Sequence, residues 1–339
     1  MKVLFINPSP IFGGATTATI SVASMLRENG CDVIYNDEYD SLETRSGLDV
    51  DHYPYHAQKY SSHKKIREHV MSFSPDWVIW SPIAAIYFYS DILWFQNNGV
   101  KQATIVHSLS LSQDIRGRIV EFLEAKIIQK MDLTVFVSDF TIKSWEKYRA
   151  VRKSNGRKVV VYNAVGSPLR TRETISNKRI GFVGRFSTEK QPDIFCSMSQ
   201  ILDEGYEFHA WGDGPLLEDC KKRFFKVVFH GQENDIERIY ENLDILLITS
   251  VFENCPMVIL EAMARGIPCV APRVGGIPEI VEDGVTGKLY DTFDVGNISK
   301  SIHSIIDDYS EYSKKCVEKS AQFSYKRIGS LWMELLSNK

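Results

Sequence analysis

Two open α/β domains in tandem, each a doubly wound parallel sheet covered by helices, are what the sequence predicts. β-rich runs alternate with helix-length amphipathic stretches along the whole chain. The alternation breaks once, at the polar and turn-prone residues 163–178 with Gly166 and Pro168. A chain of 339 residues leaves room for about two domains at roughly 150 residues each.

In the first half the β-rich runs are 2–6, 32–35, 76–80, 103–107, 133–137 and 158–162. Helical patterns at 16–28, 66–73 and 115–131 lie between them, and the last keeps Ile119, Phe122, Leu123 and Ile127 on one apolar stripe. A second series runs 179–183, 207–211, 227–230, 244–249 and 268–271. The expected division is a domain over 1–163, another over 164–322, and a final helix over 323–339. That helix carries Tyr325, Ile328, Leu331, Trp332 and Leu335 at helical spacing and should pack back toward the N-terminal domain. Two such sheets are expected to face each other across a cleft, and ligands of open α/β sheets bind at the carboxyl ends of the strands.

Composition narrows the function. Hydrophobic residues make up 44% and charged residues 24%, which sets aside disordered and fibrous chains. A formal net charge of -3 argues against a nucleic-acid partner. Cys31, Cys196, Cys220, Cys255, Cys269 and Cys316 show no C-x-x-C spacing, so neither a disulfide framework nor a zinc site is expected. The apolar start gives way to Asn7 and Pro8 too early for a signal peptide, and the expected location is cytoplasmic. The apolar stretch 77–95, interrupted by Pro82 and Asp91, is too short to span a membrane. It reads as a buried strand followed by an aromatic surface, with ordinary core and an interfacial or lipid-acceptor contact as the two meanings of that surface.

The chemistry concentrates in 250–268, which reads as strand, turn, helix, turn and strand. Pro256 suits a first helical turn, Gly266 its stop, and Pro268 forbids continuation. A helix opening at Pro256, Met257 and Val258 points free amides and a positive dipole end at the cleft, a ready phosphate site. Glu253 and Glu261, eight positions apart, are placed to flank that phosphate and accept hydroxyl hydrogen bonds on either side. Ribose, diphosphate and hexose in a nucleotide sugar have that layout.

Glu253 to Glu261 resembles the E-x7-E motif of the retaining GT-B glycosyltransferases of glycosyltransferase family 4. Val183-Gly184-Arg185-Phe186-Ser187-Thr188-Glu189-Lys190 is similar to that family's V-G-R-x-x-x-E-K stretch, and Gly212-Asp213-Gly214-Pro215 resembles its G-x-G-P turn. Residues 274–281 and 283–287 resemble the segment after the motif helix. The resemblance implies a GT-B architecture of two Rossmann-like domains, the N-terminal one for the acceptor and the C-terminal one for the donor. It implies that Arg185 and Lys190 hold the donor diphosphate. It also implies that the Gly13-Gly14 loop meets the donor phosphates or sugar, and that His107 lies beside the transferred sugar; a plain turn and a core histidine are the alternatives. Asn254 offers a further polar contact, and either Thr16 or Thr17 would cap the helix after Gly14. The chain departs from the family pattern with Asn254-Cys255-Pro256 where many members have Gly-Phe-Gly, and with Ser108 where an acid commonly follows the histidine.

What the resemblance implies is retaining transfer of a hexose from a nucleotide diphosphate sugar, UDP-linked in preference to GDP-linked, to a hydroxyl of a saccharide or lipid-linked acceptor. The setting would be bacterial polysaccharide, lipopolysaccharide or glycolipid assembly, with no cofactor and no metal. The acceptor is expected to meet the first domain through the Tyr- and His-rich residues 36–65 and the aromatic residues 86–95. The alternatives are a nucleotide-sugar epimerase and a non-catalytic two-lobed sugar-binding protein. Lys143, Lys147, Arg149, Arg152, Lys153, Arg157 and Lys158 stand nearly without acids, which suits either a peripheral contact with an anionic membrane or a solvated surface. Asp49-Val50-Asp51 has the D-x-D spacing of a metal site but reads as a polar loop.

Overall fold

The computed structural model describes residues 1–7, 13–37, 50–52, 60–80, 88–112, 114–166, 170–175, 177–202 and 205–338. They form two compact units, Met1–Ala164 with Tyr325–Lys339, and Val165–Ser324.

The sheet of the first unit is built from β1 (Lys2–Asn7), β2 (Asp32–Asp37), β3 (Val50–His52), β4 (Trp77–Trp80), β5 (Lys101–Val106), β6 (Leu133–Phe136) and β7 (Arg157–Val160). Its order is β3-β2-β1-β4-β5-β6-β7, parallel throughout, with Val3 opposite Val33 on one side and Trp77 on the other. Helices cover both faces of such a sheet, so its central strands read as continuous apolar runs rather than alternating ones. β1 and β4 are buried accordingly. The D-x-D stretch is not a loop throughout, because Val50–His52 pairs with β2 as an edge strand; Asp49 lies outside the described residues.

Trp80 organises much of the core of this unit. Its ring lies 6.0 Å from those of Phe88 and Phe95, and its indole N–H donates to Gln102 Oε1 at 3.0 Å. Phe88, Ile92 and Phe95 are fully buried. The expected aromatic surface over 86–95 is therefore largely interior, with Tyr89 its exposed ring; residues 81–87 and most of 36–59 lie outside the described residues. Helix Tyr325–Ser337 buries Ile328, Trp332 and Leu336 but leaves Leu331 exposed. Tyr325 and Ser21 share a 3.1 Å hydroxyl hydrogen bond, and Trp77 donates to the Leu336 carbonyl at 3.0 Å.

Helix Ile115–Ile128 reverses the expected polarity. Ile119, Phe122 and Leu123 face solvent, whereas Glu121 and Glu124 are buried beside Ala125, Ile127 and Ile128. Glu121 accepts hydrogen bonds from Ser110 Oγ at 2.7 Å, the Ser112 amide at 2.7 Å and Tyr148 at 2.8 Å, and Lys147 Nζ lies 3.2 Å away. Burial would raise its pKa, but these hydrogen bonds overcome it and hold the carboxyl at about 2.

The second unit has β8 (Arg179–Val183), β9 (Glu207–Trp211), β10 (Val227–Gly231), β11 (Ile245–Leu247), β12 (Cys269–Pro272) and β13 (Gly287–Tyr290) in the order β10-β9-β8-β11-β12-β13, again parallel. Each sheet therefore reverses its winding once, at β1/β4 and at β8/β11, as in the doubly wound nucleotide-binding fold. Phe182, Phe186, Phe195 and Phe208 form a chain of ring contacts in the second core. At the other end of β8, Asp244 accepts from the Arg179 amide at 2.9 Å and its guanidinium at 3.2 Å, which pins β8 against β11.

Glu124 supplies a stability test. Burial, reinforced by the neighbouring Glu121 charge, pushes its carboxyl up to about 7. Between its ordinary value and about 7 the folded chain holds a proton that the unfolded chain has lost, so stability falls as pH rises through that window. In thermal unfolding, Glu124→Gln should raise the midpoint more at pH 8 than at pH 5. An equal gain at both pH values would contradict the assignment.

Candidate functional site

The β8/β11 switch point lies where open α/β sheets bind their ligands, and two of the expected segments follow those strands. After β8 the chain turns through Gly184 and Arg185 to Lys190 and Gln191; after β11 it runs from Ile248 to Pro256. The two loops are stitched together. The Val251 amide donates to the Glu189 carbonyl at 2.8 Å, and Thr249 Oγ1 approaches the Lys190 and Gln191 carbonyls at 2.8 and 3.0 Å. Lys190 Nζ forms an ion pair with Glu253 Oε1, which also accepts from Ser250 Oγ at 2.8 Å.

Two further loops lock onto these. Gly275, at φ +58°, packs so closely on the Glu253 carbonyl that any Cβ would overlap it, and the Gly276 amide donates to that carbonyl at 2.9 Å. Gly212, at φ +127°, stands equally tight on the Gly184 carbonyl. Phe186, wholly buried, receives the turn from below: its amide donates to Asp213 O at 2.9 Å and its carbonyl accepts from Leu216 at 3.0 Å. The loops after β8, β9, β11 and β12 thus form one interlocked surface.

Arg185 is exposed on that surface. The Ser187 hydroxyl holds the Glu189 carboxyl below its ordinary range against the opposing effect of burial, and Lys190 and Arg185 add to the lowering. Arg185, Glu189, Lys190 and Glu253 therefore share one charged neighbourhood. Helix Met257–Ala264 opens at Pro256 with extended backbone and no side-chain cap, so the amides of Met257 and Val258 stand in the first turn, where a helix supplies no internal acceptor. Both residues and Asn254 are partly exposed, while Cys255 and Pro256 are buried.

Glu261 has partners of its own. It accepts from the Tyr240 hydroxyl at 2.8 Å, and its backbone carbonyl accepts from Arg265 Nη1 at 2.8 Å. Arg265 also binds Glu237 at 2.6 Å and lies 5.0 Å over the Tyr240 ring. Burial raises the Glu261 carboxyl, opposed by the Tyr240 hydrogen bond and the Arg265 charge. Sequence reasoning missed Tyr240, Glu237 and Arg265. Arg265 could have been found, since it stands four residues after Glu261, one turn along the same helix; nothing in the sequence points from Glu261 to Tyr240.

In the first unit Gly13 caps helix Gly14–Glu28 in extended conformation. Neither Thr16 nor Thr17 caps it: Thr17 Oγ1 instead donates back to Gly13 O at 3.3 Å. A Cβ on Gly13 or Gly14 would meet no atom of the described residues within 4 Å, so their packing does not require glycine at either position. His107, just beyond β5, lies 3.3 Å from Thr19 Oγ1 of that helix. The Thr19 proton is directed to the Ala15 carbonyl, which assigns the imidazole proton to Nε2. Burial pushes His107 down to about 4, so it is neutral near pH 7. Among the described residues no group of three or more His, Cys, Asp or Glu gathers as a metal site.

Comparison with known proteins covers both halves. Residues 12–166 match the family model described as Glycosyltransferase Family 4, and residues 177–308 match Glycosyl transferases group 1. The sulfoquinovosyl transferase SQD2 of Arabidopsis thaliana is 35% identical over 133 residues, 37% of this chain and 26% of that protein. N-acetyl-alpha-D-glucosaminyl L-malate synthase of Bacillus anthracis is 25% identical over 244 residues, 68% of this chain and 58% of that protein. The chain thus covers less than two thirds of either relative. The crystal structure of Anabaena HepE in complex with UDP and glucose superposes with a TM-score of 0.82 at 20% identity, over 100% of both chains. The fold is the GT-B type, two Rossmann-like units.

Gly275 tests whether the interlocked loops hold Glu253. Gly275→Ala adds a Cβ against the Glu253 carbonyl at a left-handed φ, a strain of about 1–3 kcal/mol before any movement of the loop. Denaturant unfolding should show a loss of at least that size. A loss below about 0.5 kcal/mol, within the range of neutral surface changes, would contradict the packing described.

Proposed function

We propose that this chain is a retaining glycosyltransferase that takes a hexose from a nucleotide diphosphate sugar, a UDP-sugar in preference to a GDP-sugar, and passes it to a hydroxyl of a saccharide or lipid-linked acceptor in bacterial polysaccharide, lipopolysaccharide or glycolipid assembly. The observation that carries this reading is the Lys190–Glu253 ion pair, held at the β8/β11 switch point beside an uncapped helix start and Arg185. Support comes from the glycosyltransferase families matched by each half and from HepE, whose structures hold UDP and UDP-glucose.

In this reading the amides of Met257 and Val258 receive the diphosphate, with Asn254 and Pro256 shaping the turn before them. Arg185 and Lys190 balance the charge that gathers as the donor bond breaks, so the proposal gives that task to protein cations rather than to a metal ion. The bond between the anomeric carbon and the diphosphate oxygen breaks, and its electron pair goes to the leaving diphosphate. The acceptor hydroxyl attacks from the same face, and its proton passes to a diphosphate oxygen, so configuration is retained. Oε1 of Glu253 binds Lys190 and Ser250, and its second carboxylate oxygen is assigned to a hydroxyl of the transferred sugar. Glu261, steadied by Tyr240 and Arg265, takes the ribose hydroxyls. Gly13 and Gly14 admit the donor to the backbone of the first unit, and His107 presents a neutral ring to the sugar.

Mass spectrometry of reactions with a panel of nucleotide sugars should show a glycosylated acceptor and free nucleoside diphosphate, and NMR of the product should show the anomeric configuration of the donor. A changed sugar still attached to its nucleotide would identify an epimerase instead. Lys190→Ala should lower kcat by at least about 100-fold, the scale of losing one charge-stabilising donor; near-normal turnover would remove the mechanism. Glu261→Gln should weaken UDP binding by about tenfold, the loss of one charge-assisted hydrogen bond. If Glu253→Gln weakens it and Glu261→Gln does not, the two roles are reversed.

A further inference from the structure

The helix Ile115–Ile128 carries its apolar residues on the outside. Ile115 is 77% exposed, Ile119 55% and Phe122 50%. Spaced by four and three positions, they fall on one helical face, with Leu123 along its flank. Leu111, in the turn before the helix, is exposed as well. On a helix that merely rests on a sheet, this face is expected to be polar.

The orientation is locked by charge. Rotating the helix to bury Ile119 and Phe122 would bring Glu121 into solvent. That would break its hydrogen bonds from Ser110, Ser112 and Tyr148 and its ion pair with Lys147. The outward apolar face therefore follows from the inward acids and is not a loose packing choice.

The charge on the exposed side has one sign. Arg116, Arg118 and Lys126 are exposed, with Lys126 Nζ 5.5 Å from the Phe122 ring. Asp114, ahead of the first turn, is the exposed acid of this helix region among the described residues, since Glu121 and Glu124 point inward. Apolar residues along a crest with cations at its flanks complement an anionic lipid surface, where side chains enter the headgroup boundary while cations pair with phosphates.

Part of the basic segment after Trp145 is engaged within the fold, while Arg149, Arg152 and Lys153 remain exposed. Lys147 binds Glu121 and the Ser110 carbonyl. Arg152 donates to Glu146 O, Lys158 to Val151 O and Arg157 to Leu335 O.

We propose that helix Ile115–Ile128 is the surface by which this protein docks on an anionic membrane, lying in the interface with Ile115, Ile119, Phe122 and Leu123 inserted. This stands independently of the reaction assigned above, since none of these residues belongs to the donor site.

The test is co-sedimentation of the full chain with vesicles of phosphatidylcholine containing one third phosphatidylglycerol, and with pure phosphatidylcholine. The protein should bind the anionic vesicles and bind the neutral ones much more weakly. Ile119→Ser with Phe122→Ser should lower partitioning by about tenfold or more, the scale expected from losing two inserted side chains. Arg116→Glu with Arg118→Glu should lower it as well and remove its salt dependence. Thermal unfolding of each variant at the parent midpoint shows that the fold is kept, as expected for exposed positions. Absence of binding to anionic vesicles, or binding unchanged in both double variants, overturns the proposal. So does a concentration-dependent dimer that the serine variant dissociates while vesicle binding is absent, which would assign the face to a second copy of the chain.

Discussion

The ion pair between Lys190 and Glu253 is the contact on which the arrangement of the second unit's loops depends. It joins the loop after β8 to the loop after β11, the two strands between which the sheet reverses its winding. Neither side chain is fully exposed: Lys190 retains 29% of its side-chain surface and Glu253 11%. Removing one partner from such a pair leaves the other poorly solvated, so each holds the other in place more strongly than the net energy of the pair suggests. The hydrogen bonds of Val251, Thr249 and Ser250 then fix the backbone around the pair.

The glycines of the second unit make that arrangement possible. Gly212 and Gly275 occupy left-handed backbone and bring one loop against the carbonyl of another, Gly184 in the first case and Glu253 in the second. A side chain at either position would separate the loops. In the first unit Gly156 packs as closely, on the Met131 carbonyl, whereas a Cβ on Gly13 or Gly14 meets no atom of the described residues within 4 Å.

Much of the fold was legible because punctuation marks its elements. Arg179–Val183 and Glu207–Trp211 are strands over the ranges read from sequence, each an apolar run closed by glycine. β3 and β13 were missed, and both are short strands at a sheet edge. An edge strand buries fewer side chains and so carries a weaker apolar signal. The helix Ile115–Ile128 failed differently: its period was legible but its inward face was not. Periodicity shows that a helix has two faces. Which one turns inward was decided by Ser110, Ser112, Lys147 and Tyr148 around Glu121, residues brought there by tertiary structure. The surroundings of Glu261 follow the same rule, since Tyr240 reaches it from a helix on another part of the chain.

The central claim is that the loops after β8 and β11, with the helix start at Met257, form a receptor for a diphosphate. A crystal structure of the chain with UDP tests it most directly. The pyrophosphate should lie within hydrogen-bond reach of Lys190 Nζ and the amides of Met257 and Val258, with the ribose toward Glu261. Density for the pyrophosphate away from the β8/β11 loops, or a nucleotide bound with Lys190 and the helix start untouched, would contradict it.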